Sequence, residues 1–165
     1  MFTEKFLEEL ITCAKIVVDA PMEMKQGRSG FMKRSFTLKS LDDKYSFSGF
    51  INQNLTFSEN FSIGLVYNPR EEKGTIVLLR CNGAHGGTIH FPHHASCHIH
   101  TSTADRLNNG VKSEDRIEIT KEYLTIEEAI QYYVKRININ SSDKHKYFPP
   151  PSGQRDLFGD NLSNQ

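Results

Sequence analysis

Thr75-Ile-Val-Leu-Leu-Arg80-Cys-Asn-Gly-Ala-His85-Gly-Gly-Thr-Ile-His90-Phe-Pro-His93-His94-Ala-Ser-Cys97-His98-Ile-His100-Thr101-Ser102 is the stretch on which the fold turns. Thr75 to Cys81 is nearly all apolar, the composition of a central strand covered on both faces. Asn82 to Ala95 carries Gly83, Gly86, Gly87 and Pro92 and reads as a loop. Cys97 to Ser102 reads as a second strand. Alternation along it puts His98 and His100 on one face, with Cys97, Ile99 and Thr101 on the other. Antiparallel pairing of the two strands predicts that Arg80 and the loop histidines meet at one end of the sheet.

Outward from this stretch, Phe61, Ile63, Leu65 and Tyr67 form a clear period-two stripe. Tyr45, Phe47 and Ile51 make another, and Phe36 with Leu38 a third. Asp42-Asp43 and Asn68-Pro69 supply turn chemistry, and short links favour an antiparallel meander. Toward the N-terminus, Thr3 can cap a helix in which Phe6, Leu7, Leu10, Ile11, Ala14 and Val18 recur at helical spacing until Pro21. Toward the C-terminus, Thr125 and Glu128 form a capping box ahead of Ile126, Ala129, Ile130, Tyr133, Val134 and Ile137. Residues 103–116 read as irregular. The expected fold is α+β: an antiparallel sheet of about five strands with an N-terminal and a C-terminal helix packed on it. One domain is expected over 1–139, followed by a disordered, proline-containing tail over 140–165.

Charge is balanced, 20 basic against 20 acidic residues, so no broad basic face for duplex DNA is indicated. No apolar run is long enough to span a bilayer, and the first residues lack a signal-peptide pattern. Three cysteines without framework spacing read as reduced thiols, the usage of a cytoplasmic protein.

The outlier is histidine: six of the seven lie between positions 85 and 100. Two chemistries fit. In the first, imidazoles serve as acid and base on a phosphodiester without a metal, with His98 and His85 moving protons and Arg80 meeting phosphoryl charge. His100 is then a supporting or substrate contact, Asn82 fixes the turn before His85, and His93 and His94 contact substrate. In the second, His85, His98 and His100 bind zinc. From Arg80 to Thr103 there is no Asp or Glu, which argues against carboxylate-dependent magnesium chemistry. Cys81 and Cys97 read as core thiols. Asp105, Arg106, Glu114, Asp115 and Arg116 read as a charged surface, and Arg28, Lys33 and Arg34 as solvated strand ends in preference to a small phosphate-binding patch beside the sheet.

Arg80-Cys81-Asn82-Gly83-Ala84-His85-Gly86, then His98-Ile99-His100, then a capped helix ending in Ile137-Asn138-Ile139, resembles an uncharacterised prokaryotic family of small proteins. Arg80, Asn82, His85, then Phe91-Pro92-His93-His94 and His98, also resemble the TumE-type toxins of toxin–antitoxin systems, over about residues 75–139. That resemblance implies a toxin-like or mobile-element protein acting on RNA or single-stranded DNA, with a cognate antitoxin as partner. The alternative class is a non-enzymatic binding protein, such as a phage inhibitor of host machinery, with structural or zinc-binding histidines.

The tail holds Gln154-Arg155-Asp156-Leu157-Phe158, which resembles the bacterial sliding-clamp-binding pentapeptide. Gln154 would hydrogen-bond at a cleft rim, while Leu157 and Phe158 would fill an apolar pocket.

Overall fold

The alternating segments assemble into one sheet of eight strands in the computed structural model, which describes residues 1–21, 23–27, 30–71, 74–111 and 114–151. The strands are β1 (Lys15–Asp19), β2 (Lys25–Gln26), β3 (Phe31–Ser40), β4 (Ser46–Asn54), β5 (Phe61–Tyr67), β6 (Ile76–Asn82), β7 (His98–Thr101) and β8 (Arg116–Ile119). Their spatial order is β1-β3-β4-β5-β6-β7-β8, with β2 paired to β3 and every strand pair antiparallel. Among the described residues the sheet is joined by four short α-helices, α1 (Glu4–Thr12), α2 (Ala104–Asn108), α3 (Ile126–Arg136) and α4 (Ser141–Tyr147).

The sheet is therefore larger than the five strands expected, and the surplus comes from three places. Helix α1 stops at Thr12, and Ile16 and Val17, expected to continue it, extend into β1. β-Branched side chains favour that extension. Its stop is also held by Lys15, whose buried ammonium donates to the carbonyls of Ile11 (2.8 Å), Cys13 (2.9 Å) and Ile137 (3.1 Å). One side chain thus satisfies carbonyls at the ends of both α1 and α3. The second addition is the two-residue β2. The third lies in and just beyond the stretch expected to be irregular, where α2 forms and Arg116-Ile-Glu-Ile119 adds β8 beside β7.

Residues 140–148, expected to belong to the tail, are structured instead. Asn140 caps α4 by accepting from the Asp143 amide at 2.9 Å, and Phe148 returns to the core, stacking edge-on with Phe36. Gln154, Leu157 and Phe158 lie outside the described residues, as does Arg28.

One face of the sheet carries Phe36, Leu38, Ile51, Ile63, Leu65, Leu79, Cys81 and Ile99, all buried with Leu7, Leu10 and Ile11 of α1 and Ala129, Tyr133 and Val134 of α3. The expected capping box opens α3: Thr125 accepts from the Glu128 amide, and the Glu128 carboxylate accepts from the Thr125 amide. The other face is polar. Cross-strand register aligns Lys33, Asn52, Ser62, Asn82 and His98 in one row, with Gly64, Arg80 and His100 in the next. A Cβ at Gly64 would sit 2.2 Å from Cζ of Phe50, so any larger residue there must displace that ring.

Candidate functional site: an imidazole cleft on the polar sheet face

The expected pairing of the two deciding strands is present, with Arg80 opposite His100 and Asn82 opposite His98. The two histidines share the polar face, and the connecting loop folds back over them. That loop is held by its own backbone: the His85 amide donates to the His94 carbonyl at 2.9 Å, and Pro92–Ala95 form a 3-10 turn. Gly83 permits the close passage, since a Cβ there would lie 2.0 Å from the Glu59 carbonyl oxygen.

Five imidazoles meet as a result. Ring centroids are 4.1 Å apart for His85 and His94, 5.0 Å for His93 and His98, 5.7 Å for His93 and His100, and 5.0 Å for His98 and His100. His94 lies flat against Phe91 at 5.2 Å. His90 is exposed and has no ring contact with the cluster. Four of the rings, those of His85, His94, His98 and His100, border an open cleft of about 430 Å³, also lined by Phe31, Lys33, Asn52, Asn60, Phe61, Ser62, Arg80 and Asn82.

Hydrogen bonds orient two of the rings. Nδ1 of His98 lies 2.8 Å from the Ser96 carbonyl oxygen, and Nδ1 of His85 lies 2.9 Å from that of Gly83. A carbonyl only accepts, so each Nδ1 carries a proton, and in the neutral ring Nε2 is the nitrogen with the lone pair. His98 Nε2 is buried without a hydrogen-bond partner, and so is His100 Nε2. Burial pulls the pKa of both His98 and His100 down to about 4, with neighbouring imidazoles and, at His100, the Arg80 charge adding to the effect. Both are neutral imidazoles at physiological pH. His94 is shifted in the same direction by burial and by His85 and His93. Ser62 Oγ, on the cleft wall, is a further buried polar atom without a partner.

Among the described residues, one ring nitrogen from each of His85, His94 and His98 falls within 4.8 Å of the others, and the same holds for His93, His98 and His100. His98 is shared, whereas His85 and His100, expected together as zinc ligands, fall in different groups. These are the residues that could hold a metal.

Two contributors were missed by sequence reading. Glu114, expected on a charged surface, has a side chain only 3% exposed and is ion-paired with Arg80 through both Nε and Nη2. The guanidinium assigned to phosphoryl charge thus already has a carboxylate partner. No local pattern points to this pair, which spans 34 residues. The second is Tyr123, buried beneath the site, whose hydroxyl lies 3.0 Å from the His98 carbonyl oxygen and 3.3 Å from that of Asn82. Its position in a loop just ahead of the capping box at Thr125 carried no strand or helix signal.

No helix among the described residues is long and apolar enough to cross a membrane. Set against protein-family models, curated proteins and solved structures, the chain matches none of them.

Proposed function

We propose that the cleft binds single-stranded RNA and cleaves its phosphodiester backbone by imidazole-driven transesterification. The carrying observation is the lining: among the described residues, the formally charged side chains that border the cleft, Lys33 and Arg80, are both cations, set beside imidazoles, amides and the unpartnered Ser62 hydroxyl. Such a surface suits an anionic, hydrogen-bond-accepting backbone.

His85, at the exposed mouth with its Nε2 lone pair free, takes the proton of a ribose 2′-hydroxyl. The 2′-oxygen attacks phosphorus, the bond from phosphorus to the 5′-oxygen breaks, and the proton taken up by His85 passes through neighbouring His94 to the leaving oxygen. The products are a 2′,3′-cyclic phosphate and a 5′-hydroxyl. Lys33 and Ser62 hold the non-bridging oxygens. Proton transfer is assigned to His85 and His94 instead of His98, because His98 is fully buried. The resemblance to TumE-type toxins supports the same substrate class.

The test is cleavage of end-labelled single-stranded RNA in EDTA. Cyclic-phosphate ends are expected, with a loss of about 10²-fold or more in His85→Ala. The deoxy substrate should stay intact. Neither binding nor cutting across a panel of RNAs, or equal cutting of single-stranded DNA, overturns the reading. The tail is proposed as a sliding-clamp ligand on its sequence alone.

A further inference from the structure

We infer that His93, His98 and His100 form a site for a first-row transition-metal dication of the zinc type. This site does not depend on the RNA-cleavage reading.

Three observations converge on this set. The three residues present ring nitrogens within 4.8 Å of one another, a spacing that one ion at ordinary Zn–N distances closes by small side-chain rotations. The two buried imidazole nitrogens that lack any partner, Nε2 of His98 and Nε2 of His100, are carried by two of these three residues. A buried polar atom without a partner is costly, and a ligand that takes the lone pair removes the cost. Finally, Nδ1–H of His98 donates to the Ser96 carbonyl at 2.8 Å, the outer hydrogen bond that fixes the tautomer of a metal-binding histidine.

The second group, His85 with His94 and His98, fits less well. His85 and His94 lie ring against ring at 4.1 Å and 40°, and Phe91 covers the other ring contact of His94 at 5.2 Å and 10°. By contrast, the His93 ring stands at 77° to that of His98 and 61° to that of His100, an arrangement in which ring edges converge. Imidazole nitrogens without a carboxylate or thiolate select zinc, cobalt, nickel or copper over magnesium and calcium. Three protein ligands leave a fourth position for water.

The ion would also have a structural consequence. His98 and His100 belong to β7, whereas His93 belongs to the 3-10 turn of the loop. A bound ion ties the loop to the strand and orders His85 and His94 at the mouth.

The experiment uses full-length protein stripped with chelator. Cobalt(II) is titrated first, read by visible absorption, and then displaced by zinc(II) in competition with a chromophoric chelator. One ion per chain is expected, with the visible bands of four-coordinate cobalt held by three nitrogens and one water oxygen. His93→Ala, His98→Ala and His100→Ala should each weaken binding at least about tenfold, while His85→Ala and His90→Ala stay within about twofold of wild type. Should His98→Ala fail to fold, by circular dichroism, His98→Gln replaces it. Hydrogen exchange on the wild-type chain gives a readout without any variant: zinc should slow exchange across residues 85–96. Absent cobalt binding, undiminished binding in His100→Ala, or a loss in His85→Ala as large as in His98→Ala overturns the assignment. RNA cleavage in EDTA with no metal binding would sink this inference alone.

Discussion

Glu114→Gln isolates what the Arg80 charge does in the cleft. In the wild type both Nε and Nη2 of Arg80 are committed to one oxygen of a carboxylate that is 3% exposed, while the guanidinium side chain itself is 38% exposed. Glutamine has the same shape and keeps an acceptor oxygen, so the geometry survives while one negative charge leaves. Arg80 then carries an uncompensated positive charge at the cleft wall. A charge-assisted contact contributes about 1.5–3 kcal/mol, and partial exposure argues for the low end, which is about tenfold in affinity. One more neutralised phosphate also steepens the salt dependence of single-strand binding by about 0.7 in log–log slope. Between 50 and 200 mM salt, that slope costs the variant about 2.6-fold more affinity than it costs the wild type. Fluorescence anisotropy with labelled single-stranded RNA over this range measures both quantities, and a thermal melt checks folding. Arg80→Gln in the Glu114→Gln background should return the slope to wild type. A folded Glu114→Gln protein that binds RNA no more tightly, with an unchanged slope, refutes the picture of an anion cleft restrained by Glu114.

Gly64→Ala should destabilise by about 1–3 kcal/mol in urea unfolding, because its Cβ would sit 2.2 Å from Cζ of Phe50. Phe50→Ala in the same chain should recover part of that loss, and independent effects would reject the clash. Lys15→Met should cost about 2–4 kcal/mol, since the carbonyls of Ile11, Cys13 and Ile137 lose their donor. Unchanged stability would show that the ammonium does not hold α1 and α3 together. Cys81 gives a pH dependence: burial pushes its thiol up to about 12, above the ordinary value of 9.0. The unfolded thiol therefore ionises first, and this contribution is full below pH 9 and lost as pH rises toward 12. Cys81→Ala should flatten the decline in unfolding free energy between pH 9 and 11, and parallel curves would exclude it. Leu157→Ala with Phe158→Ala should abolish capture on an immobilised bacterial sliding clamp, and capture by the double variant would discard the tail motif.

How legible the site was depended on which period governed each segment. Strict alternation placed His98 and His100 on one face, and the register Arg80–His100 and Asn82–His98 follows from the pairing that the apolar run and the glycine loop imply. The loop obeyed no such rule. His93 and His94 are adjacent in the chain, yet the 3-10 turn after Pro92 sends them into different nitrogen groups. Turn geometry at that scale is set by backbone contacts such as His85 N–H to the His94 carbonyl, which have no residue-type signature. The sheet was undercounted for a related reason. Ala14 and Val18 extend a helical stripe from Phe6 across residues that also suit a strand, and the decision rests on a buried lysine answering carbonyls more than 120 residues apart in the chain. β8, whose residues are all exposed, has no buried face to imprint a pattern. Glu114 is the most instructive case. The absence of acid between Arg80 and Thr103 is real in sequence, yet the fold delivers a carboxylate to Arg80 from just ahead of β8. Composition within a motif therefore bounds which ligands the motif supplies, but not the charge of the pocket it enters. Here that charge decides whether Arg80 grips a phosphate or merely tunes its neighbours, and His100 already feels it, its proton affinity lowered by Arg80 alongside burial.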